Sequence, residues 1–191
     1  MPDLLYELNA RDEITAVNEE WHCFARANAG APLSSPEILG RSLWDFVRDV
    51  DTQHIYRLLH RRVRGTGAPV RLHFRCDAPA LRRLLALELS AVGDERLAYH
   101  VRIMREEARI SVRLLEPHST RSDEFVTVCS WCNRVAAPPE GWLEVEQAVA
   151  ALGLFDDVQP PQLTHGICGA CDSLLQDGIG GATAEMVLAG L

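Results

Sequence analysis

The sequence predicts an α+β protein, in which an antiparallel five-stranded sheet with flanking helices precedes a small four-cysteine module with short helices. Three segments, residues 70–75, 85–89 and 99–103, alternate apolar and polar side chains. A period of two is typical of an antiparallel sheet with one face in water. An apolar stripe at helical spacing covers residues 55–63. Two Cys-x-x-Cys pairs follow, both in the last third of the chain.

The N-terminal segments supply the remaining elements of the predicted sheet. Apolar segments at residues 4–8 and 14–17 flank a polar stretch, which indicates a hairpin. Asn18 is suited to cap a first helix, and Asp51 is suited to cap the longer one. The predicted order is therefore strand, strand, helices and three strands.

This order of elements resembles that of a PAS domain, and particular segments strengthen the resemblance. Residues 14–18 (Ile-Thr-Ala-Val-Asn) resemble the usual PAS passage from second strand to first helix. Residues 39–47 resemble the segment with a glycine and spaced apolar residues that precedes the long PAS helix. The match spans residues 4–106. With residues 74–79, Arg82-Arg83 and the cysteine segments, the chain looks like a group of small bacterial PAS proteins with a C-terminal cysteine module. The resemblance implies a sensory domain at residues 1–108, with a pocket for an unidentified ligand.

The rest of the chain divides into three predicted parts. Residues 109–124 form a linker or an extra strand, and residues 125–176 form the four-cysteine module. A helix is predicted at residues 142–152, and another begins at Cys171. Residues 177–191 form a tail, with a final helix predicted at 182–188.

The four cysteines predict a metal site. Cys129 and Cys132 are separated from Cys168 and Cys171 by 35 residues. Each Cys-x-x-Cys turn can direct two sulfurs at one ion, and two turns complete a tetrahedral shell. Zinc is the expected ion, and iron has the same ligand set. A closed shell has no position for water, so the predicted site is structural. His165 is an alternative ligand, but a residue that supports the site by hydrogen bonding, or a solvated residue, is favoured because four thiolates suffice.

Enzymatic interpretations of the cysteines are disfavoured. A thioredoxin-type redox pair opens a helix, whereas Pro138-Pro139 follows the first pair closely. Zinc deaminases need a His-x-Glu sequence for proton transfer, and this chain contains none. The protein is therefore predicted not to be an enzyme.

Charge and hydropathy restrict the partners and the location. All 19 basic residues are arginine. Residues 1–110 contain 16 arginines and 16 acids, whereas residues 111–191 contain 3 arginines and 11 acids, which accounts for the net charge of −8. Such an acidic module is poorly suited to a phosphate backbone, so nucleic acid is not an expected partner. No apolar run is long enough for a membrane helix, and no secretory signal is evident. A reducing cytoplasm is the expected location of the cysteines.

Two further sets of residues are candidate sites. His54 and His60 lie on the predicted long helix, where haem-binding PAS domains carry their ligand, although a solvated helix surface is the favoured interpretation. The wet face of the sheet is predicted to be basic; it consists of Arg71, His73, Arg75, His100 and Arg102. The PAS resemblance implies that this face binds a protein partner, or a second copy in a homodimer, and an ordinary solvated face is the alternative. We also expect the acidic module to dock on this face, in the same chain or across a dimer.

Together these features predict a non-catalytic sensory or regulatory protein that acts through ligand- or partner-dependent protein–protein interaction. One alternative is a thiol-based redox or metal sensor, in which oxidation of the thiolates releases zinc. Another is a haem-based gas or redox sensor.

Overall fold

The computed structural model of the chain describes residues 3–28, 33, 36–47, 49–93, 95–154, 159–180 and 185–186. Its N-terminal part, the sheet domain (residues 3–108), contains a five-stranded antiparallel sheet in the order β3-β4-β5-β1-β2. The strands are β1 (Leu4–Leu8), β2 (Ile14–Val17), β3 (Val70–Arg75), β4 (Leu81–Ala91) and β5 (Leu97–Ala108). The helices α1 (Glu19–Ala27) and α2 (Val50–Thr66) lie between β2 and β3 in the chain. The α+β class and the five-stranded antiparallel sheet are thus confirmed.

Alternation along the strands separates a buried face from an outer one. Leu72, Leu87 and Val101 face one another across β3, β4 and β5 and are buried. Helix α2 contributes Ile55, Leu59 and Val63 to the same core. This helix begins earlier than predicted, because Asp49 rather than Asp51 accepts the capping hydrogen bond, from the Thr52 N–H at 2.7 Å. It ends at Gly67, whose φ of 70° suits glycine.

The C-terminal module (residues 125–180) contains a second sheet that the sequence analysis did not predict. Its strands are β6 (Phe125–Cys129), β7 (Val135–Ala137), β8 (Gly141–Leu143) and β9 (Gln162–Gly166), in the order β8-β7-β6-β9. The helices are α3 (Val145–Ala151) and α4 (Gly169–Gly180). Trp142 lies in β8, so α3 is shorter than predicted. Three-residue strands such as β7 and β8 are too short to show a clear alternation.

The tail differs from the expectation, and residues 109–124 add no strand to the sheet. Residues 109–124 contain a 3-10 turn, Arg113–Leu115, rather than a strand. The tail contributes a short strand, β10 (Glu185–Met186), which pairs in parallel with β3. These two residues are therefore not helical, and the rest of the predicted helix, 182–184 and 187–188, lies outside the described residues. None of the helices in the described ranges is both long and apolar enough to cross a bilayer.

Candidate metal centre

The structure brings the four cysteines together in one buried cluster. The sulfur atoms of Cys129, Cys132, Cys168 and Cys171 all lie within 4.8 Å of one another. Their residues are between 0 and 6% exposed. The Sγ atoms of Cys132 and Cys168 are 3.8 Å apart. Zinc–sulfur bonds of about 2.3 Å in a tetrahedron place the sulfurs about 3.8 Å apart. The cluster can therefore hold a metal ion such as zinc, and iron would fit the same ligand set.

The first cysteine pair lies in the turn between β6 and β7. Cys129 ends β6 and donates its N–H to the Arg134 carbonyl at 2.7 Å. Asn133 has a φ of 57°, in the left-handed region that asparagine tolerates. This turn directs two backbone N–H groups at sulfur: that of Cys132 at Cys129, and that of Arg134 at Cys132. Such hydrogen bonds stabilise thiolates.

The second pair lies where β9 passes into α4. Strand β9 runs parallel to β6, with Gly166 opposite Cys129. The Ser130 N–H donates to the Gly166 carbonyl at 2.9 Å, and the Cys168 N–H donates to Cys129 Sγ at 3.4 Å. Parallel pairing between residues far apart in the chain therefore places the two Cys-x-x-Cys turns side by side.

Without a metal ion, neighbouring cysteines of the cluster shift one another's pKa values in opposite directions. Hydrogen bonds from the Cys132 and Cys171 thiols hold the pKa of Cys129 well below its usual value. The same sharing with Cys129 raises the pKa of Cys132 to about 12 and raises the pKa of Cys171 further. Thiolates this close together repel one another, and a divalent cation offsets the repulsion because it attracts all four. Metal binding should therefore release protons from the thiols.

A tryptophan beside the cluster connects it to the sheet domain, and the sequence analysis did not single it out. Trp131, between the first two cysteines, is 2% exposed. Its ring centroid lies 5.6 Å from that of Tyr56 on α2, and its carbonyl accepts the Arg75 N–H at 2.8 Å. All four cysteines and Trp131 belong to the same core cluster as α2 and the five-stranded sheet. The only sequence signal was a large aromatic residue inside a Cys-x-x-Cys turn.

Arg75 was predicted to lie on the solvated face of the sheet, and this prediction is wrong. Arg75 is 3% exposed and pairs with Asp77 and, at 2.6 Å, with Glu144 of the module. Arg109 pairs with Asp77 at 3.2 Å and with Glu146 at 3.3 Å. The acidic module therefore docks within the chain, but on the end of the sheet near Arg75. Strand β3 ends in this region, and the register of β4 shifts there between Leu84 and Leu85. The alternation of buried and exposed residues therefore does not predict the position of Arg75.

The other predicted interaction residues lie together on the outer face of the sheet, away from the cysteines. This outer face is defined by Arg71, His73, Glu88, His100, Arg102 and Met104. Arg71 pairs with Glu88 at 2.6 Å, and His100 pairs with Asp3 at 2.6 Å. The outer face therefore carries acids as well as bases, together with the exposed Met104.

The candidate histidines occupy three different environments. His165 is exposed on β9, and the cluster of ligating atoms contains sulfur alone. His54 is exposed on α2. His60, by contrast, is 1% exposed, so the expectation of a solvated position was wrong. Its Nδ1 donates to the Asp12 carboxylate at 2.9 Å, and its Nε2 shares a hydrogen bond with the Tyr99 hydroxyl. With both nitrogens engaged, His60 is not available to a haem iron in this arrangement.

Comparison with known proteins adds no relative. No model of a known protein family matches the chain, and a search of curated proteins finds no match. The PAS resemblance and the functions that it implies thus remain predictions.

Proposed function

We propose that this chain is a non-catalytic sensory or regulatory protein in which a PAS-like sheet domain is coupled to a structural zinc site. The observation that carries the proposal is the position of Trp131, which lies inside the cysteine cluster's turn and packs on Tyr56 of α2. The element order, with α1 and α2 between the second and third strands, supports the PAS resemblance.

The aromatic contacts continue from Trp131 into the centre of the sheet domain. Tyr56 stacks near Tyr99 with centroids 6.4 Å apart, and Tyr99 stacks on Tyr6 at 4.3 Å. Tyr6 and Tyr56 also line an apolar cavity of about 180 Å³. A change in the packing of the cysteine turn would therefore displace residues that line this cavity, because tightly packed interiors transmit displacement.

A structural role for the metal is supported by the ligand set. Four buried cysteines fill a tetrahedral shell and leave no site for a water or a substrate. A catalytic zinc site keeps such a position open. The proposed protein is therefore a binding module rather than an enzyme.

The proposed output is an interaction with another protein through the outer face, with a second copy of the chain as the expected partner. Met104 and Leu5 are exposed large apolar residues, and Leu5 lies opposite His100 in the β1–β5 register. Arginines and carboxylates on one face suit a self-complementary interface, because each charge of one copy can meet its opposite in the other. Neither nucleic acid nor a membrane is a proposed partner, and the cytoplasm is the proposed location.

The test is to compare hydrogen exchange in the metal-loaded and metal-stripped full-length chain. If the coupling holds, removal of the metal will reduce protection of amides in α2 and β5 as well as in the module. Loss of protection confined to residues 125–180 would contradict the coupling. Metal analysis and the absorption spectrum identify the ion, because zinc sites are colourless whereas iron–thiolate sites and haem absorb visible light.

A redox sensor is the second candidate function, because oxidation of the four thiolates would release the metal. Their burial supports the structural role instead, because oxidation favours exposed thiolates. The experiment uses a Cys23→Ser background, since Cys23 is exposed and would itself react. Release of zinc by mild peroxide, reversed by a thiol reductant, would favour the redox sensor over the proposed function.

A further inference from the structure

A cavity of about 330 Å³ lies at the junction between the sheet domain and the module, and we call it the seam cavity. Its charged lining residues are Arg75, Arg82, Arg83, Arg105, Arg134, Glu107 and Glu144. Five guanidinium groups and two carboxylates leave an excess of three positive charges on this lining. Arginine is thus concentrated at the seam cavity of an acidic chain, whose net charge is −8, although carboxylates behind the lining pair with three of the five arginines.

Carboxylates that do not line the cavity hold several of these arginines in place. Asp77 pairs with Arg75, Glu106 with Arg83 at 2.8 Å, and Glu146 with Arg82 at 2.8 Å. Arg75 and Arg83 are also buried, at 3% and 8% exposure. The guanidinium groups are thus oriented before any ligand arrives, which lowers the entropic cost of binding.

The same arginines keep donors that the protein does not use. The Nε of Arg82 is buried and has no hydrogen-bond partner among the described residues. Arg134 donates from Nε to Glu144 at 3.1 Å, and its guanidinium makes no other hydrogen bond to the described residues. A guanidinium has five N–H donors, so most of those of Arg134 remain available. A buried donor without an acceptor is costly unless a ligand supplies one.

We infer that the seam cavity binds a small dianionic or more highly charged molecule through a phosphoryl or carboxylate group. Guanidinium groups match such oxyanions with paired hydrogen bonds. The volume falls in the usual range for small-ligand sites, about 300 to 1,000 Å³. The inference goes beyond the proposed metal coupling. Because β3, β4 and β5 form one wall and Arg134 and Glu144 another, a bound anion would also fasten the module to the sheet domain.

The test is calorimetric titration of the full-length, metal-loaded chain with inorganic phosphate and, separately, with succinate. Sodium chloride keeps the ionic strength constant and serves as the reference. Saturable binding of either dianion at one site per chain supports the inference, and the tighter of the two identifies the group recognised. Heats for both dianions that match the chloride reference would overturn it.

A pair of matched variants locates the site. Arg105→Gln removes a lining arginine whose side chain is 53% exposed and pairs with Glu107. Arg71→Gln removes one that is 61% exposed and pairs with Glu88 on the outer face. We expect Arg105→Gln to weaken dianion binding about ten-fold or more, the usual effect of losing a hydrogen bond to a charged group. Arg71→Gln should change it less than about two-fold, since only distant charge is lost. Equal weakening in both variants would overturn the assignment to the seam cavity.

Discussion

The two ends of the C-terminal module bury their side chains against different partners. At the cysteine end, Cys129, Trp131, Cys171 and Leu175 join the core of the five-stranded sheet. At the other end, Val135, Val145 and Ala148 form a separate small core, which the linker completes with Val112 and Leu114. One sheet, β8-β7-β6-β9, thus supports both a shared core and a private one.

This difference explains how a small module can both fold and couple. The private core that supports α3 and β7 contains apolar residues of the module and the linker, and none of the sheet domain. The cysteine end lacks that independence, because its apolar residues are covered by α2 and the sheet. Damage at the cysteine end should therefore reach the sheet domain, whereas damage at the private core should stay local.

Loss of one ligand should have the largest effect. Cys171→Ser removes a thiolate from the closed shell, so we expect loss of the metal and a fall of more than about 4 kcal/mol in the free energy of unfolding. Metal analysis and denaturant unfolding measure the two. Cys23→Ser is the control: Cys23 is exposed on α1, and its substitution should cost less than about 0.5 kcal/mol. Full metal content in Cys171→Ser would show that the shell does not need four sulfurs.

Truncation of the connecting tryptophan should come next. Trp131→Ala should cost about 3–5 kcal/mol through the cavity it leaves, with signals from α2 and the module both perturbed. Val145→Ala in the private core should cost about 2 kcal/mol and leave the sheet-domain signals unchanged. Protein NMR with denaturant unfolding makes the comparison. If the two variants perturb the sheet domain alike, the contrast between the ends of the module is wrong.

The ion pair between the two halves should have a smaller, pH-dependent effect. Burial alone would raise the pKa of Glu144, but hydrogen bonds and charges from Arg75 and Arg134 hold it below its ordinary value of 4.5. The stability that Glu144 contributes is therefore complete above about pH 4.5 and is lost as the pH falls through its folded-state pKa. Glu144→Gln should cost about 2–3 kcal/mol at pH 7, less than the loss of a fully buried charge, because Arg75 keeps Asp77.

Unfolding measured against pH checks this sign. The wild-type chain should lose stability more steeply than Glu144→Gln below about pH 4.5, because only the wild type has this carboxylate to protonate. Glu88→Gln, which breaks the exposed pair with Arg71, should cost at most about 0.5 kcal/mol. A pH profile in Glu144→Gln identical to that of the wild type would exclude this pair from the acid response.

Charge reversal on the outer face should have the smallest effect on stability. Arg71→Glu with Arg102→Glu should change the free energy of unfolding by less than about 1 kcal/mol, because both side chains are exposed. The module should stay docked, since its ion pairs are made by Arg75 and Arg109 instead. Sedimentation should show weaker self-association if the outer face joins two copies. An unchanged oligomeric state would remove the outer face as the proposed interface.

The elements that follow from a local pattern are predictable from the amino-acid sequence. The spacing of two Cys-x-x-Cys pairs predicts a common ligand set, and alternation predicts the meander of β3, β4 and β5, because both follow from the geometry of neighbouring residues. The sequence also separated a neutral N-terminal part from an acidic module, which is a matter of counting charges.

Which residues depart from their local pattern depends on how distant parts of the chain pack together. Arg75 alternates like a solvated residue but is buried, because it pairs both with the neighbouring Asp77 and with Glu144, 69 positions away. His60 lies among arginines on α2 but is buried, because Asp12, 48 positions away, accepts its Nδ1 hydrogen. Burial of a polar group depends on whether partners lie within reach in the fold, and the local sequence does not reveal a partner that is distant in the chain, such as Glu144 or Asp12. The contact of Trp131 with Tyr56 depends in the same way on how the two halves pack.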